Sequence, residues 1–308
     1  MKKDLLTLYD LQVKDFGLIF SRTQTLKKMQ KAGTRYTPLK GKTLGMIFYK
    51  SSTRTRLSFE VGFHQLGGLA IFLSNRDIQL GRGETIADTA KIMSRYLDGI
   101  MIRTFSQESI EEFARAAQVP VINGLTDLLH PCQILGDLFT IIEKKSDYKG
   151  LKIAYIGDGN NIANTWVTAA AILPFELALA CPQGYDPDPA IMGKAREKGA
   201  ARINLYRDPF EAAENADVLY TDVWTSMGQE KEKEARAEAF KKYQINSDVL
   251  ARARNDAIVM HCLPAHREEE ITSEVMDGPQ SVVFDQAENR LHVQKAVMEI
   301  LIGGGTEK

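Results

Sequence analysis

The first group of residues able to do chemistry is a run of hydroxyl and arginine side chains at residues 51–56, SSTRTR. It follows a short apolar run that ends at Tyr49 and precedes a helical stretch over residues 57–66. At such a strand-to-helix turn, the free backbone N–H groups and the helix dipole favour an anion. The hydroxyls add hydrogen bonds, and an arginine fork matches the geometry of a phosphate. The run predicts a phosphate site, and the alternative is a helix cap followed by two solvated arginines.

Two further candidates lie in the same half of the chain. Arg103 ends the apolar stretch GIMIR, which places it at the ligand edge of a parallel sheet, although a surface ion pair is the alternative. Residues 130–133, HPCQ, open a helix whose proline fixes the first turn. His130 and Gln133 therefore lie near the helix N-terminus, where they can contact a carbonyl oxygen and an amide. A lone histidine in this position is more often a packing or capping residue.

The second half of the chain carries three polar loops, each directly after an apolar run. They are residues 158–161, DGNN; Asp222 with residues 226–228, SMG; and residues 261–267, HCLPAHR. The carboxyl ends of parallel strands meet at one edge of a sheet, so these loops are expected to lie together. That edge would carry amide, carboxylate, hydroxyl and thiol groups.

The elements that position these residues alternate between strand-sized apolar runs and helical stretches, which indicates two α/β domains with doubly wound parallel sheets. The predicted strands cover residues 42–49, 69–74, 99–104, 119–124, 151–157, 176–182, 216–222, 257–264 and 281–286. The predicted helices cover residues 10–31, 57–66, 85–96, 108–117, 131–144 and 291–302. The polar segment KKSDYKG at residues 144–150 interrupts the alternation and predicts a domain boundary.

Composition narrows the class of protein. The 308 residues carry 39 basic and 40 acidic side chains, a formal net charge of −1, so neither nucleic acid nor a membrane is an expected partner. The three cysteines are widely spaced, which favours free thiols in a reducing compartment. The first residues do not form a signal peptide, and a cytoplasmic protein is expected.

Three short motifs imitate known sites but are incomplete. Gly41-Lys42-Thr43 lacks the earlier glycine of a P-loop, where Tyr36 stands. The turn that begins at Gly157 has Ile162 at the third glycine position of a dinucleotide fingerprint, which leaves a nicotinamide enzyme as a weak alternative. The histidines and cysteine of residues 261–266 lack a second ligand pair at zinc spacing. No metal and no cofactor are therefore expected.

Taken in order, SSTRTR, HPCQ, DGNN, DVWTSMGQE and HCLPAHR resemble the aspartate/ornithine carbamoyltransferase family from about Leu5 to Met298. STRTR and HPxQ are similar in both branches, whereas SMG and Cys262-Leu263 resemble the ornithine branch. The resemblance implies that residues 1–146 bind carbamoyl phosphate, with a C-terminal helix of about 287–308 packed back on them. Residues 147–286 would bind ornithine, and the active site would lie in the cleft between the domains.

The resemblance also implies roles for individual residues. The catalytic set would be Arg103, His130, Cys262 and Thr55. Carbamoyl phosphate would be bound by Ser52, Thr53, Arg54, Thr55, Gln79, Arg103, His130, Gln133, Cys262, Leu263 and Arg290. Ornithine would be bound by Asn161, Asp222, Ser226 and Met227. Gln79 resembles a residue contributed across a subunit boundary, which implies a homotrimer or a multiple of trimers. The reaction would transfer the carbamoyl group to the δ-amine of L-ornithine, giving L-citrulline and phosphate in arginine metabolism.

Two other functions are compatible with parts of this pattern. The acceptor amine could be putrescine, an N-acylated ornithine or aspartate, or the chain could be a binding protein without activity. The presence of Arg103, His130 and Cys262 argues against the binding protein. The chain departs from many relatives at Glu268, where they carry glycine, and at Pro174-Phe175. The backbone is expected to turn differently there, away from the predicted contacts.

Overall fold

The computed structural model describes residues 3–74, 83–199, 202–225 and 232–303. The chain divides into two compact units, which are Met1–Phe139 with Glu288–Lys308, and Thr140–Ala287. We call them the first and the second unit. Among the described residues, no helix has the length and apolarity needed to span a membrane.

The described residues form nine parallel strands in two sheets, with helices between successive strands. The strands are β1 Thr43–Phe48, β2 Leu69–Ser74, β3 Gly99–Arg103, β4 Val121–Leu125, β5 Lys152–Ile156, β6 Glu176–Ala180, β7 Ile203–Tyr206, β8 Val218–Thr221 and β9 Ile258–His261. The helices are α1 Val13–Lys31, α2 Thr53–Gln65, α3 Ile86–Met93, α4 Gln107–Ala116, α5 Pro131–Lys145, α6 Asn161–Ala170, α7 Pro189–Glu197, α8 Pro209–Ala213, α9 Lys233–Phe240, α10 Ser247–Leu250, α11 Ser273–Met276 and α12 Val283–Ile302. Two α/β units with parallel sheets confirm the predicted fold class.

The sheet of the first unit brings the candidate anion groups to one edge. Its described strands lie in the order β2-β1-β3-β4. β1 and β3 are apolar and almost wholly buried because both faces of a parallel sheet are covered. Their register pairs Phe48 with Arg103 at the carboxyl ends. The loop that follows β1 therefore begins beside Arg103, which ends β3.

The edge strand β2 is the exception, because its apolar side chains face outward. Leu69 is 61% exposed and Ile71 is 39% exposed, and on α2 Leu57 is 54% exposed. Monomeric proteins rarely expose such a continuous apolar face. We call this surface, formed by β2 and the outer side of α2, the β2–α2 face.

The last helix packs against α2 in the first unit. A Cβ atom added at Gly62 would lie 3.1–3.3 Å from side-chain atoms of Leu291, Lys295 and Met298. The absence of a side chain at Gly62 thus lets α12 approach α2 closely, and this approach places Arg290 beside the start of α2.

The sheet of the second unit has the order β7-β6-β5-β8-β9 among its described strands. β5 and β8 are neighbours at the centre, and the register of β8 and β9 pairs Thr221 with His261. The loops after these three strands consequently leave the same edge of the sheet. This is the arrangement predicted for residues 158–161, Asp222 and residues 261–267.

The structure corrects one predicted strand and adds one strand that the sequence does not predict. Residues 281–286 are not a strand, because Ser281 makes an isolated bridge to Val259 and α12 already begins at Val283. β7 was not predicted, since its run INLY is short and half exposed. At Glu268 φ is +68°, so the glutamate takes the left-handed conformation that glycine favours.

Candidate active site

The start of α2 in the first unit has the geometry of an anion site. Ser52 is the N-cap, and its Oγ accepts a hydrogen bond from the backbone N–H of Thr55 at 3.1 Å. Thr55 is buried, and its Oγ1 accepts a hydrogen bond from Nη2 of Arg290 at 2.8 Å. The helix N-terminus, the hydroxyls and a guanidinium group therefore meet at one place, as the SSTRTR run predicts.

Arg103 is buried beside these groups, with 5% of its surface exposed. Within residues 3–74 and 83–139, its Nε has no hydrogen-bond partner. Burial and the positive charges of Arg290 and Arg54 lower its pKa to about 10. The guanidinium is therefore still charged at neutral pH, and three arginine charges converge on a buried position. We call Arg54, Arg103 and Arg290 the arginine cluster; it is a strong site for a multivalent anion.

His130 and Gln133 lie at the start of α5, and both are buried. Burial, with the charges of Arg290 and Arg103, lowers the pKa of His130 well below its usual value. The imidazole is therefore neutral at physiological pH and can take part in hydrogen bonds without adding charge. Nε2 of Gln133 donates to Oδ1 of Asp137 at 2.8 Å, which fixes the orientation of the amide.

Arg56, by contrast, does not join the arginine cluster. Its guanidinium lies 3.9 Å from the centre of the Phe72 ring, and its Nε donates to Glu60 at 3.2 Å. The second arginine of STRTR therefore belongs to the β2–α2 face.

In the second unit, Asp222 joins two of the predicted loops. Its Oδ2 accepts a hydrogen bond from Nδ2 of Asn160 at 2.8 Å, and its Oδ1 accepts one from the thiol of Cys262 at 2.9 Å. Oδ1 of Asn160 caps α6 through the backbone N–H groups of Ile162 and Ala163. A carboxylate, a thiol and an amide thus form one hydrogen-bonded group that can hold an ammonium group and accept a proton.

A buried ion pair lies next to this group. Arg236 on α9 pairs with Asp158, donates from Nε to the carbonyl oxygen of Trp224 at 2.7 Å, and lies over the ring of Tyr185. Gly159 is packed closely, because a Cβ atom there would lie 2.2 Å from the backbone that follows Tyr185. The DGNN loop is therefore held rigidly on both sides.

His261, at the end of β9, organises the last loop. Its Nδ1 accepts a hydrogen bond from the backbone N–H of Leu263 at 2.9 Å, so Nε2 carries the proton and donates to Oε1 of Glu270 at 2.9 Å. Both ring nitrogens are engaged, which favours a structural role for His261 over metal ligation. Leu263 has φ +57°.

The predicted site residues are distributed as follows. The first unit brings together Ser52, Thr53, Arg54, Thr55, Arg103, His130, Gln133 and Arg290. The second unit contains Asn161 at the start of α6 together with Asp222, Cys262 and Leu263. Gln79, Ser226 and Met227 lie outside the described residues.

Sequence reasoning missed four residues that support the site. Asn160 lies in a recognised motif, but its contact with Asp222 depends on the fold. Arg236 comes from a charged run, KEKEARAE, that reads as a solvated helix face. The sequence offers His261 as a candidate metal ligand, and no sequence signal pairs it with Glu270.

One parallel α/β unit carries a cluster of positive charges that can bind an anion, and the other carries a carboxylate–thiol pair that can bind an amine. These are features of an enzyme that acts on an anionic substrate and on an amine. The sequence model of the carbamoyl-P binding domain of aspartate/ornithine carbamoyltransferase matches residues 3–143. The model of the Asp/Orn binding domain of the same family matches residues 149–301. The chain belongs to the aspartate/ornithine carbamoyltransferase family, which confirms the predicted family and, at that level, the predicted carbamoyltransferase class.

Individual relatives agree over the full length. Ornithine carbamoyltransferase of Syntrophus aciditrophicus is 69% identical over 98% of this chain and 100% of its own length. The solved structure of ornithine carbamoyltransferase from Pyrococcus furiosus is 50% identical, with a TM-score of 0.94 and 98% of both chains covered. That from Burkholderia thailandensis is 47% identical, with a TM-score of 0.90 and coverage of 98% of this chain and 99% of its own.

Proposed function

We propose that this protein transfers the carbamoyl group of carbamoyl phosphate to the δ-amine of L-ornithine, giving L-citrulline and phosphate. The observation that carries the proposal is the pairing of chemistries: three arginines around a helix N-terminus in the first unit, and the Asp222–Cys262 pair in the second. The names of the relatives give the same substrates. We accordingly assign carbamoyl phosphate to residues 1–146 with the C-terminal helix, and ornithine to residues 147–286.

The donor half binds and polarises carbamoyl phosphate. The phosphate is held by residues 52–55, the arginine cluster and Gln79, whereas neutral His130 and the amide of Gln133 contact the carbamoyl group. As the amine attacks, negative charge develops on the carbonyl oxygen. Thr55, Arg103 and His130 stabilise that charge, the task that contributes most in acyl transfer. Because Arg103 and Arg290 are buried before the substrate arrives, little reorganisation of these two side chains is needed.

The acceptor half binds ornithine and removes a proton from its amine. Asn161, Asp222, Ser226 and Met227 hold the amino-acid group, and Asp222 pairs with the α-ammonium. Cys262 and the carbonyl oxygen of Leu263 lie at the δ-amine, with Cys262 and Leu263 also reaching the carbamoyl group. The neutral amine forms a bond to the carbonyl carbon, the bond from that carbon to the phosphate oxygen breaks, and the leaving phosphate takes up the proton that the amine nitrogen loses. These reaction steps use no metal and no cofactor.

We further propose a homotrimer or a multiple of trimers, assembled through the β2–α2 face. This face contains a groove of about 770 Å³ that is lined by residues of β2 and α2 and by Ser51 and Ser52, which directly precede α2. A second copy seated there would bury the exposed apolar side chains and would reach the phosphate site, consistent with a contribution of Gln79 across a subunit boundary. A cytoplasmic role in arginine biosynthesis fits the free thiols.

The test is citrulline formation from carbamoyl phosphate with ornithine, run beside putrescine, N-acetylornithine and aspartate, for the wild type and Arg103→Ala. The highest kcat/KM with ornithine, together with loss of turnover in Arg103→Ala, is the expected result. A higher kcat/KM with another amine would overturn the acceptor assignment and leave the donor half intact. Binding of carbamoyl phosphate without turnover of any amine would make the chain a binding protein.

A further inference from the structure

The loop after β9 is built around a buried histidine–glutamate pair that the reaction itself does not use. His261 and Glu270 have no exposed surface. Oε1 of Glu270 accepts hydrogen bonds from Nε2 of His261 at 2.9 Å and from the backbone N–H of His266 at 2.5 Å. One carboxylate oxygen therefore ties the end of β9 to the far side of the loop.

His261 in turn fixes the backbone of Leu263 through a hydrogen bond. Its Nδ1 accepts the backbone N–H of Leu263 at 2.9 Å, and the backbone N–H of His261 is itself held by Oε1 of Gln286 at 2.9 Å. Leu263 has φ +57°, a left-handed conformation that is unfavourable for a leucine and persists only where the surroundings fix it. The hydrogen bond to His261 supplies that fixation, and Glu270 supplies the tautomer of His261 that can accept it.

We propose that Glu270 and His261 are positioning residues for the acceptor amine. By holding Leu263 in its left-handed conformation, they set the direction of the Leu263 carbonyl group and the place of the neighbouring Cys262 thiol. The thiol donates to Oδ1 of Asp222 at 2.9 Å, so a shift of the loop also moves the hydrogen-bonded group of the second unit. This inference rests on the proposed function, in which Leu263 and Cys262 lie at the δ-amine.

The two residues act through Cys262 and Leu263 of the second unit, whereas the phosphate of the donor is held by the first unit, and this distinguishes the inference from a general structural role. Loss of the carboxylate frees His261 to change tautomer or to rotate, and Leu263 then relaxes. A displacement of about 1 Å in a reacting group lowers the rate by about 10²-fold. Binding of carbamoyl phosphate to the first unit is not expected to change.

The experiment compares Glu270→Ala with Glu270→Gln, which keeps an acceptor oxygen for Nε2 of His261. Glu269→Ala is the matched control, because Glu269 is the neighbouring carboxylate and makes a partly exposed ion pair with Lys233 and a contact with the ring of His266. We expect Glu270→Ala to lower kcat/KM for ornithine by about 10²-fold with an unchanged dissociation constant for carbamoyl phosphate. Glu270→Gln and Glu269→Ala should stay near the wild type.

Three results would overturn the inference: an unchanged kcat/KM for ornithine in Glu270→Ala, a parallel loss of carbamoyl phosphate binding, or no recovery in Glu270→Gln. If Glu270→Ala does not fold, Glu270→Met fills the same volume without an acceptor and carries the same expectations. Failure of the wild type to form citrulline would instead refute the proposed function, so the two failures are distinguishable.

Discussion

Replacing Arg103 with methionine should make the ligand-free protein more stable while it removes anion binding. Arg103 is buried next to the charges of Arg54 and Arg290. Its carbonyl oxygen accepts the backbone N–H of Tyr49 at 2.9 Å, a contact that any residue at this position keeps. A methionine fills most of the volume and carries no charge. The variant therefore removes repulsion and desolvation, which together outweigh the attraction of Arg103 to the carboxylate of Asp127.

The magnitude follows from the pKa of Arg103, which falls from 12.5 to about 10 in the folded protein. That difference corresponds to at most about 3 kcal/mol by which folding disfavours the charged guanidinium. The cost is fully present below pH 10 and disappears only as the pH rises towards the unfolded-state value. At neutral pH, Arg103→Met should raise the free energy of unfolding by up to about 3 kcal/mol. Each kcal/mol raises the midpoint of thermal unfolding by about 2–4 °C.

Phosphate, the product anion, reverses the order of stability. At a concentration of about 100 times its dissociation constant it should stabilise the wild type by about 2.7 kcal/mol. The variant should show little of this gain, because loss of one partner from a buried charged contact costs about 2–5 kcal/mol of binding.

The assay is thermal unfolding with and without phosphate, and the control is Arg115→Met, which removes an exposed arginine from α4. The control should respond to phosphate as the wild type does. A lower midpoint for Arg103→Met in phosphate-free buffer, or an undiminished phosphate response, would refute the view of Arg103 as an uncompensated charge held for an anion.

Three further predictions concern other residues. Folding lowers the pKa of His130, so this histidine takes up a proton in the unfolded chain before it does in the folded protein as the pH falls below about 6.5. The wild type should therefore lose up to about 1.4 kcal/mol of unfolding free energy per pH unit more than His130→Gln. Denaturant titrations at pH 7 and 5.5 that show equal losses of unfolding free energy for the two proteins would contradict this. Ser146 is exposed with φ +72° after α5, so Ser146→Gly should stabilise the protein by about 0.5–1 kcal/mol, whereas Ser146→Ala should not, as urea unfolding would report. Cys132 and Cys181 are buried, and burial raises the pKa of Cys132 to about 12, so a thiol reagent should label the partly exposed Cys262 first in native protein. Equal labelling rates of the three cysteines, measured by mass spectrometry, would contradict this prediction.

Much of the fold could be predicted because apolar runs of strand length alternate with helical periodicity. The run GIMIR became β3 with Arg103 at its end, and HPCQ opened α5, because local signals and burial agree at both places. Residues 281–286 failed for the opposite reason. Their run of apolar residues fits a strand as well as the first turn of a buried helix. The segment is helical from Val283 because it continues directly into the rest of α12.

The chemistry of the site could be predicted by residue type more readily than by partner. The sequence indicates that Asp222 and Cys262 share a sheet edge, since both follow apolar strands. It does not indicate that Asn160 bonds to Asp222, or that Arg236 lies buried against Asp158. Those contacts join residues far apart along the chain, and their geometry is set by the packing of whole loops.

The path of the chain has a consequence for its synthesis on the ribosome. α12 follows the other described helices and strands along the chain, yet its residues from Glu288 onward complete the first unit, where Arg290 bonds to Thr55 and Asn289 accepts a hydrogen bond from Lys27 at 2.7 Å. The second unit is finished earlier, because all of it precedes residue 288. A nascent chain that has not yet released α12 lacks one arginine of the cluster and the helix that packs on Gly62. The arginine cluster is therefore complete only after α12 has left the ribosome, and a product truncated before residue 288 has all of the second unit but an incomplete first unit.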